Sequence, residues 1–393
     1  MAANDQGMPR SLALASVLAL AGCGSETESA GPASPAAAAA AASCEASGTC
    51  ATAVREDALG TGDGSASSVT FTEIYTAPQR GTQLIDLAFN LDRPTELWTI
   101  GYGDNRVYIG SDVLDSPGTW KEYLDPAARH FMHKPPAFAW GANGFWGICG
   151  DNDNSQNDAR GDGDAKFFTG PALFTSNLEV FAKQTPTGLG SHYDMLHNTS
   201  FCRGIAHVED NWFWVFNGEL GSLDRYNFAK DHGPGNDDHS DGEIYRYVEG
   251  QVKGVTGLSS HVFFDASDRF LYVADTGNGR VVRLDTSTGT LGARLPRRNE
   301  PLAKSGAMGD AVLELVVATG VLQQPSGLEV RGGKVYVSDA ANSTFHAFDK
   351  DGVELRRLET GLPAGSLSGF TFGKDGKVWF VDRVRNKVLR IDP

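Results

Sequence analysis

The chain has 393 residues, with 49 acidic against 34 basic side chains and a formal net charge of −15. That balance excludes nucleic acid as a partner, because phosphate binding needs a basic face; the one dense basic cluster, Arg294 with Arg297 and Arg298, is a short loop patch. A 40% hydrophobic content supports one large domain or two ordinary ones, and 47 glycines suit a fold with many turns.

Residues 11–23, SLALASVLALAGC, form an apolar run of signal-peptide length, short for a bilayer span. The run ends in Leu20-Ala21-Gly22-Cys23, which resembles the lipobox of bacterial lipoproteins. The resemblance implies a signal peptide over 1–22, lipidation of Cys23 and a place on the bacterial cell envelope, periplasmic or extracellular. An ordinary cleaved secretory signal is the alternative. Residues 23–67 are rich in Ala, Ser, Gly and Pro and cannot bury enough surface to offset their ordering entropy. They read as a disordered tether. Cys44 and Cys50 within it could close a small loop. Export permits a disulfide between Cys149 and Cys202, against the alternative of two separate buried thiols.

The strand-like SVTFTEIYTA (68–77) stands alone, and repeats follow it. The clearest are SHVFFDASDRFLYVADTGNGRVVRLD (260–285), PSGLEVRGGKVYVSDAANSTFHAFDKDG (325–352) and LSGFTFGKDGKVWFVDRVRNKVLRIDP (367–393). Each runs strand, Gly/Asp turn, strand ending in Asp, turn, alternating strand, with Asp275, Asp339 and Asp382 in register. Residues 202–228, with Asn217 at that position, 84–109 and 135–153 are further copies. Short alternating strands make antiparallel sheets, and thin sheets in series bury their faces when stacked radially. The copies resemble NHL repeats. The expected fold is an all-β, six-bladed β-propeller over 68–393, its last blade closed by the N-terminal strand, with insertions near 151–201 and 229–243.

In such propellers the first strand of each blade lines the channel. Alignment puts Pro136, Arg203, His261, Ser326 and Ser368 at one mouth, with Ile85 or Asp86 from the first blade. His261, in SHVFFD, occupies the place of a zinc-binding channel histidine in the remotely similar peptidylglycine amidating lyase propeller, and Arg203 is the analogue of its substrate arginine. That resemblance makes His261 and Arg203 the catalytic candidates. The insertions could supply more ligands. Asp151, Asp153, Asp162 and Asp164, in DNDNSQNDARGDGD, suit calcium, although the spacing is not that of an EF-hand. His192 and His197, with His232, His239 and Asp238 from KDHGPGNDDHSDGEIYRY (230–247), suit zinc or copper together with His261. If the 230–243 loop covers the channel, these groups converge; if it points outward, it is a capped acidic turn. The expected function is a lipid-anchored, monomeric propeller that binds an unknown ligand or protein partner at the channel mouth, with a divalent metal in reach. The alternative is a metal-dependent lyase or hydrolase on the His/Arg site.

Overall fold

The computed structural model describes residues 57–153, 164–296 and 301–393. The signal peptide, Cys23, Cys44, Cys50 and tether residues 24–56 lie outside these residues, whereas 57–67, expected as part of the tether, are packed: Ala58 and Leu59 are buried in the core between blades five and six, and Glu359 N donates to Gly64 O at 2.8 Å. Six sheets, antiparallel except for one added parallel pair in the third, follow one another along the described chain and form the six blades of a propeller. The innermost strands are Leu84–Phe89, Phe138–Trp140, Cys202–Glu209, Val262–Asp265, Pro325–Arg331 and Phe370–Phe372. Each touches the next, and Phe370–Phe372 touches Leu84–Phe89, which closes the circle.

Closure uses both ends of the propeller's chain. Thr70–Thr76 pairs antiparallel with Lys387–Asp392 as the fourth strand of blade six, in the register Phe71 opposite Ile391. Thr72 donates to Asp392 across this seam. This pairing covers what would otherwise be the bare edges of Thr70–Thr76 and Lys387–Asp392.

Among the described residues the apolar core falls into six clusters, one in each seam between neighbouring blades. One sequence position repeats at these seams. Trp98, Trp146, Trp214, Tyr272, Tyr336 and Trp379 each stand on the second strand of a blade, nearly fully buried. Each lies three residues before the repeat's Asp position. That aspartate staples the turn region: Asp275 accepts from the Lys253 amide at 2.7 Å, and Asp339 from the Gln323 and Gln324 amides at 2.7 and 3.0 Å. In blade two Cys149 takes the same place and is joined to Cys202 at the start of blade three, with Cα atoms 5.9 Å apart.

Blade three is larger than its repeat suggests. Residues 286–312, between the third and fourth strands of blade four, form a third insertion. Within it Lys304–Gly309 pairs in parallel with Glu243–Tyr247 at the outer edge of blade three. Inside that blade Arg246 makes a buried two-pronged pair with Asp224, at 2.9 and 2.8 Å.

Candidate functional site

The inner strands enclose an axial chamber of about 280 Å³. Its wall is largely apolar, with Phe138, Phe263 and Phe370, and carries four titratable groups, Asp86, His207, His261 and Glu329. His261 Nε2 lies 3.3 Å from Asp86 Oδ1. The Asp86 carboxylate also accepts from the Leu87 amide at 2.8 Å and from the Phe138 amide of the next blade at 3.1 Å. Room for it exists because residue 369 is glycine: a Cβ there would overlap Asp86 Oδ1. Gly204 has the same origin, since a Cβ would strike the Ser260 carbonyl of the neighbouring inner strand.

Burial opposes a charge on His261, but the Asp86 carboxylate outweighs it and holds the imidazole above its ordinary pKa. Burial pushes the Glu329 carboxyl up, only partly relieved by Arg331, whose Nε lies 3.3 Å from it. The chamber therefore favours the charged form of the His261 imidazole beside Asp86 and the protonated form of the Glu329 carboxyl.

One end of the chamber is sealed. Ser259 Oγ lies 3.0 Å from Ser368 Oγ and donates to the Pro136 carbonyl at 2.6 Å, and Ser326 Oγ lies 3.3 Å from Ser368 Oγ. These contacts tie blades two, four, five and six together across the axis. Beside this lock Arg203 is ion-paired with Asp151, which also accepts from the Tyr102 hydroxyl and the Gly257 amide, each at 2.9 Å. Arg383 donates to the Gly257 carbonyl at 2.7 Å. At the other end the lining residues Ala88, Ala139, His207 and Phe264 are only partly buried, so the entrance lies there.

The aligned ring is thus a lock rather than an open mouth. Ser326 and Ser368 meet in it, while the side chains of His261 and Arg203 engage different carboxylates, Asp86 and Asp151. Asp151 is buried and ion-paired with Arg203. Asp162 lies outside the described residues, Asp153 is partly exposed, and Asp164 opens the 3-10 turn Asp164–Phe167.

The loop histidines form a second group, at the outer edge between blades two and three. The 229–242 segment packs along the last strand of blade two, through His232 N to Tyr193 O at 3.1 Å and Gly235 N to His192 O at 2.6 Å. None of its histidines lines the chamber. His192 Nε2 and His239 Nε2 lie 3.7 and 3.9 Å from Asp237 Oδ2. The rings of His197 and His239 meet edge to face at 4.6 Å, and His192 stacks on Phe131. The nearby His192 imidazole, with His239 and His197 close by, holds the Asp237 carboxyl below its usual range. His232 faces two other carboxylates, Asp241 at 3.4 Å and Asp194 at 4.0 Å. Asp238 is exposed and caps Ser240.

Sequence reasoning missed Glu329 and Asp194. Glu329 had a signal: three residues past the leading position, where other copies carry Ala139, Ala206, Phe264 or Thr371, it is the lone acid. Asp194 had none, because its strand, Asp194–Met195, is two residues long.

Comparison with solved structures gives the same architecture. An auxiliary nutrient binding protein from Bacteroides ovatus superposes with a TM-score of 0.53 at 12% identity, over 83% of this chain and 76% of that one. One of the same description from Bacteroides thetaiotaomicron gives 0.50 at 12%, over 79% and 69%. Streptogramin B lyase gives 0.49 at 15%, over 82% and 97%. At such identities the likeness is one of fold, and the chain is a six-bladed β-propeller. No family model and no curated protein matches it. No helix among the described residues is long and apolar enough to cross a membrane.

Proposed function

We propose that the protein is an exported, lipid-anchored binding propeller of the bacterial envelope that takes a small, uncharged, oxygen-rich molecule into its axial chamber. The observation that carries this reading is the buried Asp86–His261 pair facing Glu329 in a chamber locked at one end. Asp86 is committed to the imidazole and two amides, so the groups left for a ligand are donors and a protonatable acid. A neutral ring with hydroxyl or carbonyl oxygens matches these and can lay its apolar face on Phe138 or Phe370. The cavity sits at the small end of ligand sites, which limits the occupant to about the size of a monosaccharide. The Cys149–Cys202 bridge supports an oxidising compartment. The lipobox-like Leu20–Cys23 supports the anchor.

A thermal-shift panel of neutral monosaccharides and polyols tests the chamber. At least one compound should raise Tm in the natural protein and lose that effect in His261→Ala. A panel with no shift, or a shift that survives in His261→Ala, removes the reading. The lyase or hydrolase alternative needs His261 and Arg203 on one substrate, whereas each side chain is paired to a separate carboxylate.

A further inference from the structure

The edge cluster contains a constellation that the chamber does not explain. Asp194, His232 and Asp241 each offer one ligand atom, all within 4.8 Å of one another. His232 Nε2 and Asp241 Oδ1 are buried, face each other across 3.4 Å, and neither is in a hydrogen bond. Asp194 is fully buried on the edge strand of blade two, while the other two residues come from the loop of blade three. Two carboxylates around one imidazole carry more negative charge than the imidazole can balance. Two buried, facing ligand atoms with no hydrogen bond between them are what a cation would join.

We propose that Asp194, His232 and Asp241 bind one divalent metal ion of the zinc class, which clamps the 229–242 loop to blade two. Tetrahedral zinc with bonds near 2.1 Å sets its donors about 3.4 Å apart. The observed separations of 3.4 and 4.0 Å need only a small inward movement to meet that value. One nitrogen and two carboxylate oxygens suit zinc and disfavour copper(I), which prefers sulfur. Three protein ligands leave a fourth position for water. Asp237, engaged by His192 and His239, lies outside this donor set. The backbone bonds from His232 and Gly235 to the edge strand already hold the loop in place, so the ion closes a nearly formed site.

The test is a titration of metal-stripped protein with zinc chloride, read by calorimetry and by melting. The natural protein should bind one equivalent and gain about 5 °C in Tm at a hundredfold excess over Kd. Cleavage by trypsin at the exposed Lys230 should slow on zinc addition. Asp241→Asn and His232→Ala, both at partly exposed positions that spare the buried Asp194, should bind at least tenfold more weakly. His261→Ala should bind as the natural protein does, which separates this site from the chamber. The proposal is overturned if the natural protein takes up no zinc, if both variants bind normally, or if His239→Ala alone abolishes uptake.

Discussion

In the axial chamber one imidazole, His261, faces one carboxylate, Asp86, which the amides of two blades already fix. At the edge one imidazole, His232, faces two carboxylates from two blades, held by an irregular loop. The chamber's charges are balanced by the inner strands themselves, so they persist without a ligand. The edge leaves its balance to something added. Polar groups on repeat strands are thus part of folding, and polar groups on insertions are available for other uses.

The largest expected effect separates the two regions directly. Asp86→Ala strands a buried imidazole and two amides, and should lower unfolding free energy by about 3–5 kcal/mol in urea titrations. Zinc uptake at the edge should be unchanged; a joint loss would show the regions to be one unit. Gly369→Ala pushes a Cβ against Asp86 and should cost about 1–3 kcal/mol, measured the same way.

The pH dependence sharpens the comparison further. His261 has a raised pKa, so its contribution is complete below about 6.5 and is lost as pH rises through the folded value. Glu329 is also raised: the folded state favours its protonated form, and stability falls as pH climbs from 4.5 through the raised value. Both act in the same direction. Unfolding free energy should decline between these limits, and Glu329→Gln should flatten the acidic part of the decline. A profile that Glu329→Gln leaves unchanged would place the titration elsewhere. The smallest effect belongs to the edge: Asp238→Asn should alter neither Tm nor zinc stoichiometry, because that carboxylate only caps an exposed turn.

The architecture was legible because it repeats. The strand–turn–strand pattern marks all six blades, with Asp275, Asp339 and Asp382 at its key position in three of them, and the unpaired 68–77 segment foretells the closing strand. The aromatic residue three places before each Asp position was equally readable and shows why the seams pack. Residues 286–312 were not readable, since their strands obey no repeat and pair in parallel with a blade other than their own. The site was legible in part. Alignment put His261 on the channel and offered Asp86 as a neighbour, but it could not show that Ser259, Ser326 and Ser368 would meet and close the mouth. The histidine-rich loop stood out by composition, yet its direction depends on backbone bonds to Tyr193 and His192 that no spacing reveals.

The pairing of Thr72 with Asp392 joins positions 320 residues apart. A chain made amino end first exposes Thr70–Thr76 long before its partner strand exists. That early segment must wait, an open template for wrong neighbours, until the final twenty residues emerge. Its alternation of Thr and Glu with only Phe71, Ile74 and Tyr75 as large apolar groups lowers that hazard during synthesis. Assembly of the circle is therefore a late, long-range event, and the slowest step in acquiring the native state should be the docking of the oldest strand onto the youngest.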